Sequence, residues 1–406
     1  MKPLVVVHSS PVWLPRTQTW MHEQCKNLPA SVESHVVCER TENLDQFALP
    51  NIHALANLPR WRVAWDRVLR KLGARHHMGL LVDVARKHDA KVLHSHFGHV
   101  GWLDLDAARQ AELAHVVTFY GQDVNMLPRT QPLWRERYME MFARITRVLC
   151  EGPHMARCIA ALGCPVEKIL VHHLGVDLRR FEFRPRKWDR NGPLRVLLCA
   201  TFTEKKGIPY AIAALGALSR VVPLEITLVG DANQGERQQA EKTKILSAIE
   251  LHGLARVVTL PGYLPHAEIL RLAYEHHVFV SPSVTAEDGD TEGGAPVAVC
   301  ELAATGMPIV STRHCDIPNV VEDGVGALLA DERDTMGLLA CLGRLVHDPQ
   351  LWEELVTAAR ARIESHFDAA KQGTALAKIY ESVASGAAPT EQIETFATLG
   401  SAPPKA

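Results

Sequence analysis

The sequence predicts an α/β protein with two Rossmann-like, doubly wound parallel-sheet domains facing a central cleft. Three observations predict it. Short, continuously apolar runs alternate with helix-length amphipathic stretches, the pattern of strands buried on both faces by crossover helices. The alternation occurs twice, broken by the polar, Pro-containing stretch RFEFRPRKWDRNGP (180–193). The length of 406 residues suits two or three domains of roughly 150 residues each.

In the first half, PLVVVHSS (3–10) is continuously apolar up to its polar end and reads as a buried strand. A helix rich in Arg and Lys, with Trp on one side, covers about 60–88. Strands follow at AKVLHSHF (90–97), HVVTFYG (115–121), RVLCEG (147–152) and ILVHHLGVD (169–177). The second half starts afresh at LRVLLCATF (194–202). It continues with LEITLVGD (224–231), VVTLPGYL (257–264), VFVSPS (278–283) and PIVSTR (308–313). Helical patterns fill the gaps at about 207–220, 235–252, 266–276 and 296–305, and LWEELVTAARARIESHF (351–367) is a late helix. The expected limits are 1–178 and 179–365 for the two domains. A helical segment at 366–385 packs back on the first domain, and 386–406 is an Ala/Pro-rich flexible tail.

Composition excludes several classes. A formal net charge of -2 argues against a general nucleic-acid binder. The nine cysteines form no CxxC pair and are odd in number, which fits reduced thiols rather than a disulfide framework. No run of about 18 apolar residues is present, and Leu4–Val7 is too short for the apolar part of a signal peptide. These features point to a cytoplasmic protein. GxGxxG, GxxxxGK[ST] and GxSxG are all absent.

In open parallel sheets, ligands bind beyond the carboxyl ends of the strands, so the residues leaving each strand carry the candidate chemistry. The richest such stretch is GDTEGGAPVAVCELAATGMP (289–308), a Gly-rich loop and an apolar helix with one charge, Glu301. Amides of Gly293, Gly294 and Ala295 stand before a helix that opens near Pro296, where the helix dipole favours phosphate. Glu301 suits a pair of vicinal sugar hydroxyls, which an ionised carboxylate accepts; an exposed acid in a flexible surround fits the same residues. TFTEKKG (201–207) puts Lys206 where it could meet phosphate, against the alternative of a solvated lysine pair. HSH (94–96) puts two imidazoles on one strand face. Zinc ligation, a neutral His96 donating to a substrate oxygen and a structural hydrogen-bonded pair are the three readings, and no third ligand stands at metal spacing.

With both halves in place, the chain resembles glycosyltransferase family 4, whose members have the GT-B fold. EGGAPVAVCELAATGMPIVST (292–312) is similar to the family's two-glutamate segment, and EKKG (204–207) to its phosphate-binding lysine. LVGD (228–231), PGYLP (261–265), LPRTQTWMHEQCKNL (14–28), HSHFG, TFYGQDV and LGCPVEKILVHHLGVDLRRF (162–181) resemble further family pieces. The resemblance implies a retaining transfer of a hexose from a nucleotide-diphosphate sugar to a glycan or lipid-linked saccharide, in cell-surface polysaccharide synthesis. It implies no cofactor beyond the nucleotide-sugar co-substrate, no metal and no nucleic-acid partner. A GT-B-fold nucleotide-sugar epimerase and a non-catalytic sugar-nucleotide binder are the alternatives.

The resemblance also implies roles. Glu292, Lys206 and His96 are the catalytic candidates. Glu301 holds the ribose, Glu292 the donor sugar, and Lys206 with the loop amides the departing diphosphate. Thr201, Lys205, Gly230, Asp231, Leu264, Gly293, Gly294, Ala295 and Pro296 complete the donor side. Ser10, Thr17, Tyr120 and Asp123 lie on the acceptor side. Three departures stand out. Eight residues separate the glutamates where the family has seven. The basic residue usual before EKKG is Thr201 or Thr203, leaving Arg313 as a replacement. Tyr120 replaces a histidine.

One further segment bears on location. In RWRVAWDRVLRKLGAR (60–75), Trp61, Trp65, Val68 and Leu72 share a helical face flanked by basic residues. Such a face either packs on the domain's sheet or lies on an anionic membrane, at its inner surface.

Overall fold

A computed structural model describes residues 2–14, 20–45 and 47–387. The chain forms two compact units, Met1–Gly175 with Asp368–Ala406, and Val176–Phe367. Residues 388–406, most of the expected tail, lie outside the described residues.

The first unit holds a seven-stranded sheet: β1 (Leu4–Trp13), β2 (Val32–Thr41), β3 (Ile52–Ala54), β4 (Val92–His96), β5 (Ala114–Thr118), β6 (Arg147–Cys150) and β7 (Ile169–Val171). All pairs are parallel, in the order β3-β2-β1-β4-β5-β6-β7. Because side chains alternate along a strand, each apolar run supplies both faces. Val5, Val7, Val37 and Leu93 pack against Leu81, Val84 and Ala85 of the helix Gly79–Lys87. Val6, Val92, Val116 and Leu170 pack against Leu376, Ile379 and Tyr380 of the helix Ala369–Ser385. Each Leu or Ile buried there contributes about 2 kcal/mol, which is why the last helix belongs with the first unit.

β2 and β3 are absent from the sequence reading. VESHVVCERT mixes Glu, Ser, His and Arg with its valines, and the three residues of β3 are too few to show a period. The single helix expected over 60–88 is two, Arg60–Lys71 and Gly79–Lys87. Gly73, at φ 71°, ends the first by the left-handed turn that glycine adopts most easily.

The first of these helices also overturns the packing alternative for its apolar face. Trp61 is 70% exposed, Trp65 60% and Leu72 75%, and Val68 is exposed with them. The one buried residue of the helix is Asp66. Its carboxylate accepts from Arg70 Nε at 2.9 Å, from the Gly79 amide at 2.8 Å and from Arg75. A charge-assisted knot, not an apolar seam, fastens this helix.

The second unit holds β8 (Leu194–Cys199), β9 (Leu224–Val229), β10 (Val258–Gly262), β11 (Val278–Ser281), β12 (Ile309–Thr312) and β13 (Leu328–Ala330). They are parallel, in the order β10-β9-β8-β11-β12-β13. The helices Ile208–Leu218, Glu236–Leu251, His266–Glu275 and Val297–Ala304 lie close to their expected positions. Val299, Leu302 and Ala303 of the last pack with Leu197, Phe279 and Ile309, so its opposite edge, with Glu301, is held firmly toward the strand ends. Strand order reverses between β1 and β4 in one sheet and between β8 and β11 in the other. Those are the switch points where open α/β sheets take ligands.

Candidate active site

The densest chemistry sits at the switch point of the second unit. Lys206 closes the turn Glu204–Lys206 after β8, and Gly207 (φ 59°) opens the helix Ile208–Leu218. A Cβ at Gly207 would stand 1.9 Å from the Pro282 carbonyl oxygen, so only glycine lets this turn lie against the exit of β11. Lys206 Nζ then donates to Glu292 Oε2 at 2.7 Å, and Ser283 Oγ donates to Glu292 Oε1 at 2.8 Å. The Glu292 side chain is only 6% exposed. Burial alone would raise its pKa, but Lys206 and Lys205 outweigh that and hold it at about 2.

A histidine fixes the Glu292 backbone. Its amide donates to His314 Nε2 at 3.1 Å, so the proton of His314 is on Nδ1, which donates to Glu332 Oε1 at 2.6 Å. Glu332 is likewise held at about 2, with burial overcome by the bond from His314 and by the Thr285 amide. Lys205 turns away, donating to Asp290 Oδ1 at 3.1 Å and to the Thr291 carbonyl at 3.0 Å. Expected on the donor side, it anchors the 289–292 loop.

The helix begins at Val297 with Pro296 as its N-cap. Of the expected amide cradle, the Gly293 amide is engaged within the loop. The Gly293 amide is already given to Thr291 Oγ1 at 3.1 Å, and the Gly294 carbonyl accepts from the Asp316 amide at 3.0 Å. The first-turn amides at Val297 and Ala298 are those that the helix dipole aims outward, and no side chain caps this end. Ala295 and Leu264 are partly buried against the same apolar cluster, flanking that end.

Glu301 is 21% exposed on its side chain, and its Oε1 accepts from His266 Nε2 at 3.0 Å. Arg180 donates to His266 Nδ1 at 2.9 Å, and because arginine can only donate, the His266 proton lies on Nε2, facing Glu301. Thr201 is half-buried with its carbonyl accepting the Thr203 amide. Gly230 (φ 127°) is required where β8 and β9 end together, since a Cβ there would stand 1.9 Å from the Ala200 carbonyl oxygen. The Asp231 carboxylate is paired with Lys242 at 2.6 Å. Arg313 is no replacement for the missing basic residue, because it pairs with Asp323 at 2.6 Å and Asp331 at 2.9 Å.

The first unit's candidates are enclosed. His96 is fully buried; its Nδ1 meets Tyr120 Oη at 2.7 Å and its Nε2 meets His8 Nδ1 at 3.1 Å. His94 is bonded to Tyr380 Oη at 2.7 Å and Thr118 Oγ1 at 2.6 Å, and His8 Nε2 to Ser34 Oγ at 3.3 Å. All six ring nitrogens of His8, His94 and His96 therefore have partners, and burial lowers all three pKa values, keeping the rings neutral. His94 and His96 of HSH thus lie in a buried hydrogen-bonded network with His8. Ser10 is buried and donates to the Val12 carbonyl at 3.0 Å. Asp123 accepts from the amides of Gly98 at 2.6 Å and Tyr120 at 3.0 Å, and burial raises it to about 6. Ser10, Tyr120 and Asp123 are thus each engaged in hydrogen bonds within the first unit. Thr17 lies outside the described residues.

Sequence reasoning placed Ser283 among the strand-end residues without giving it a role, and it missed His266, His314 and Glu332 beside these groups. Ser283 and His314 leave β11 and β12 at their carboxyl ends, and that position was the available signal.

Two parallel-sheet units with these strand orders define the GT-B class of fold. The Anabaena protein HepE, solved with UDP and glucose, matches with a TM-score of 0.75 and 17% identity over 93% of this chain and 99% of that one. Sucrose-phosphate synthase from Thermosynechococcus elongatus matches at 0.73 and 16%, over 95% and 100%. In sequence, residues 17–180 match the model of Glycosyltransferase Family 4 and residues 193–348 that of the Glycosyl transferases group 1. The amylovoran biosynthesis glycosyltransferase AmsK of Erwinia amylovora is 34% identical over 292 residues, 71% of this chain and 69% of that protein. The putative colanic acid biosynthesis glycosyltransferase WcaL of Escherichia coli K12 is 34% identical over 295 residues, 70% and 69%. The chain belongs to glycosyltransferase family 4 and is a glycosyltransferase. Among the described residues, no helix is long and apolar enough to cross a membrane.

Proposed function

We propose that the protein transfers a hexose, with retention, from a nucleotide-diphosphate sugar to a hydroxyl of a glycan or lipid-linked saccharide in cell-surface polysaccharide synthesis. The observation that carries this reading is the Lys206–Glu292–Ser283 constellation at the β8/β11 switch point. The names of AmsK and WcaL support the polysaccharide context, and the UDP and glucose held by HepE support the donor class.

In this mechanism Val176–Phe367 binds the donor and the first unit the acceptor. Lys206 and the first-turn amides of Val297–Ala304 receive the diphosphate, whose charge grows as the glycosidic bond breaks. Glu292, ionised at neutral pH, positions Lys206 and accepts from a donor-sugar hydroxyl. The leaving phosphate takes the acceptor's proton. Glu301 accepts from the ribose hydroxyls, with His266 holding its carboxylate in place.

Two expectations follow directly. Incubation with nucleotide sugars releases nucleotide only when a saccharide acceptor is added, and the rate in metal-free buffer stays within twofold of that with Mg²⁺ or Mn²⁺. Epimerised donor without acceptor, no turnover with any donor, or a tenfold metal requirement would each overturn the reading. For Glu301→Ala, calorimetry should show nucleotide-diphosphate affinity weakened by about 1–3 kcal/mol, the loss of a charged hydrogen-bond acceptor. Unchanged affinity removes Glu301 from the ribose site.

The exposed face of Arg60–Lys71 supports a location at the cytoplasmic face of the membrane. Two tryptophans at 70% and 60% exposure stand among the exposed cations Arg60, Arg67 and Lys71, the composition of a helix that rests on anionic lipid. A lipid-linked acceptor would be reached there.

A further inference from the structure

A second histidine cluster lies on the other face of the first sheet, away from the transfer chemistry. His35 is the fourth residue of β2, His53 lies in β3, and His88 follows the helix Gly79–Lys87. His35 neighbours Val7, on the face that this helix covers, whereas His8 neighbours Val36 on the opposite face. One ring nitrogen from each of the three lies within 4.8 Å of those from the other two.

We propose that His35, His53 and His88 form a binding site for a divalent transition-metal ion of the zinc type, with Glu33 as a positioning carboxylate.

Four observations carry it. His35 Nδ1 and His53 Nε2 stand 3.0 Å apart; nitrogens sharing a tetrahedral zinc ion are about 3.3 Å apart, given Zn–N of about 2.0–2.1 Å. Glu33 Oε1 lies 3.0 Å from His35 Nε2. A carboxylate there accepts a hydrogen bond from Nε2–H and leaves the Nδ1 lone pair aimed at the cluster, the arrangement that orients metal-bound histidines. His88 Nε2 is buried and has no hydrogen-bond partner. His35 is buried, while His53 and His88 are only partly so, which leaves solvent access for a fourth ligand. The difference from His8, His94 and His96 lies in His88, whose Nε2 has no partner within the protein, whereas all six ring nitrogens of that other cluster are bonded. Three imidazoles select zinc, cobalt or nickel over magnesium and calcium, which take oxygen ligands. The site is therefore separate from the metal independence proposed for transfer.

The test uses the full chain, stripped by a chelator and desalted. Titration with Zn²⁺ by calorimetry should give one bound equivalent, and Co²⁺ should give the visible absorption of a low-symmetry nitrogen site. His53→Gln/His88→Gln should bind at least tenfold more weakly, and Glu33→Gln about tenfold more weakly. The single variant His88→Gln, at a half-exposed position after a helix, guards against misfolding, with circular dichroism as the check. His88→Gln alone should also bind more weakly; no bound equivalent in the wild type, or wild-type affinity in the folded His88→Gln and double variants, overturns the site. Undiminished binding by Glu33→Gln overturns the positioning role. Neither readout depends on glycosyl transfer.

Discussion

Lys206→Ala should lower kcat by about 100- to 1,000-fold, the range seen when a fixed donor to developing negative charge is removed, while the donor KM changes far less. The asymmetry follows from where the charge is. In the ground state the diphosphate's charge is spread and partly solvated, and it concentrates as the sugar departs, so Lys206 gains most in the transition state. The resting structure adds a complication. Lys206 is one half of a buried ion pair with Glu292 at 2.7 Å, and removing one partner of such a pair costs about 3–5 kcal/mol because the other charge is left uncompensated. Lys205 and Ser283 remain near Glu292 and soften that cost. Lys206→Ala should therefore also melt earlier, and Lys206→Ala/Glu292→Gln should recover most of the lost Tm without recovering turnover. A folded Lys206→Ala protein with kcat within threefold of wild type would remove the lysine from the mechanism.

Replacing Arg60, Arg67 and Lys71 by Gln should weaken binding to anionic vesicles by about 100-fold, at roughly 1 kcal/mol for each basic residue near the surface. Adding Trp61→Ser and Trp65→Ser should abolish the remainder. The choice of cations comes from the structure. Arg70 cannot be used, because it bonds Asp66 at 2.9 Å and Glu39 at 2.6 Å and its loss would release the helix. Arg62 is paired with Asp83 at 2.6 Å and so contributes less net charge. Co-sedimentation with anionic and neutral vesicles at low and high salt reads the effect. Wild-type protein should pellet with anionic vesicles only, and less as salt rises. Equal recovery of wild type and the triple variant in the anionic pellet, or none of either, would show that the helix has no membrane role.

Much of the site was legible in the sequence because it is local. Lys206 lies directly after β8, and Glu292 and Glu301 flank the start of one short helix, so strand ends and the Gly-rich loop located them. The partners of those residues were not legible. Ser283, His314 and His266 reach Glu292 and Glu301 from 9, 22 and 35 residues away, and nothing in a linear pattern says which of 21 histidines will arrive.

The first unit shows the opposite limit. HSH spacing placed two imidazoles on one face of a strand, but spacing cannot say what stands opposite. Tyr380, 286 residues from His94, and Tyr120 supply the bonds that settle the pair as a buried network.

What the sequence determined by itself was the fold class, the repeated parallel-sheet pattern and the placing of Lys206 and the Gly-rich loop at the strand ends of the second unit. These rest on periodicity and on residues close in the chain, where geometry follows from the backbone. The tertiary structure alone decided three matters: which carboxylates hold which cations, that the histidines of β4 are enclosed, and that the tryptophan face of Arg60–Lys71 is left to solvent. An amphipathic helix carries the same pattern whether its apolar side meets a core or a membrane. Here the buried carboxylate of Asp66, bonded to Arg70, Arg75 and the Gly79 amide, turned the polar edge inward and the tryptophans out.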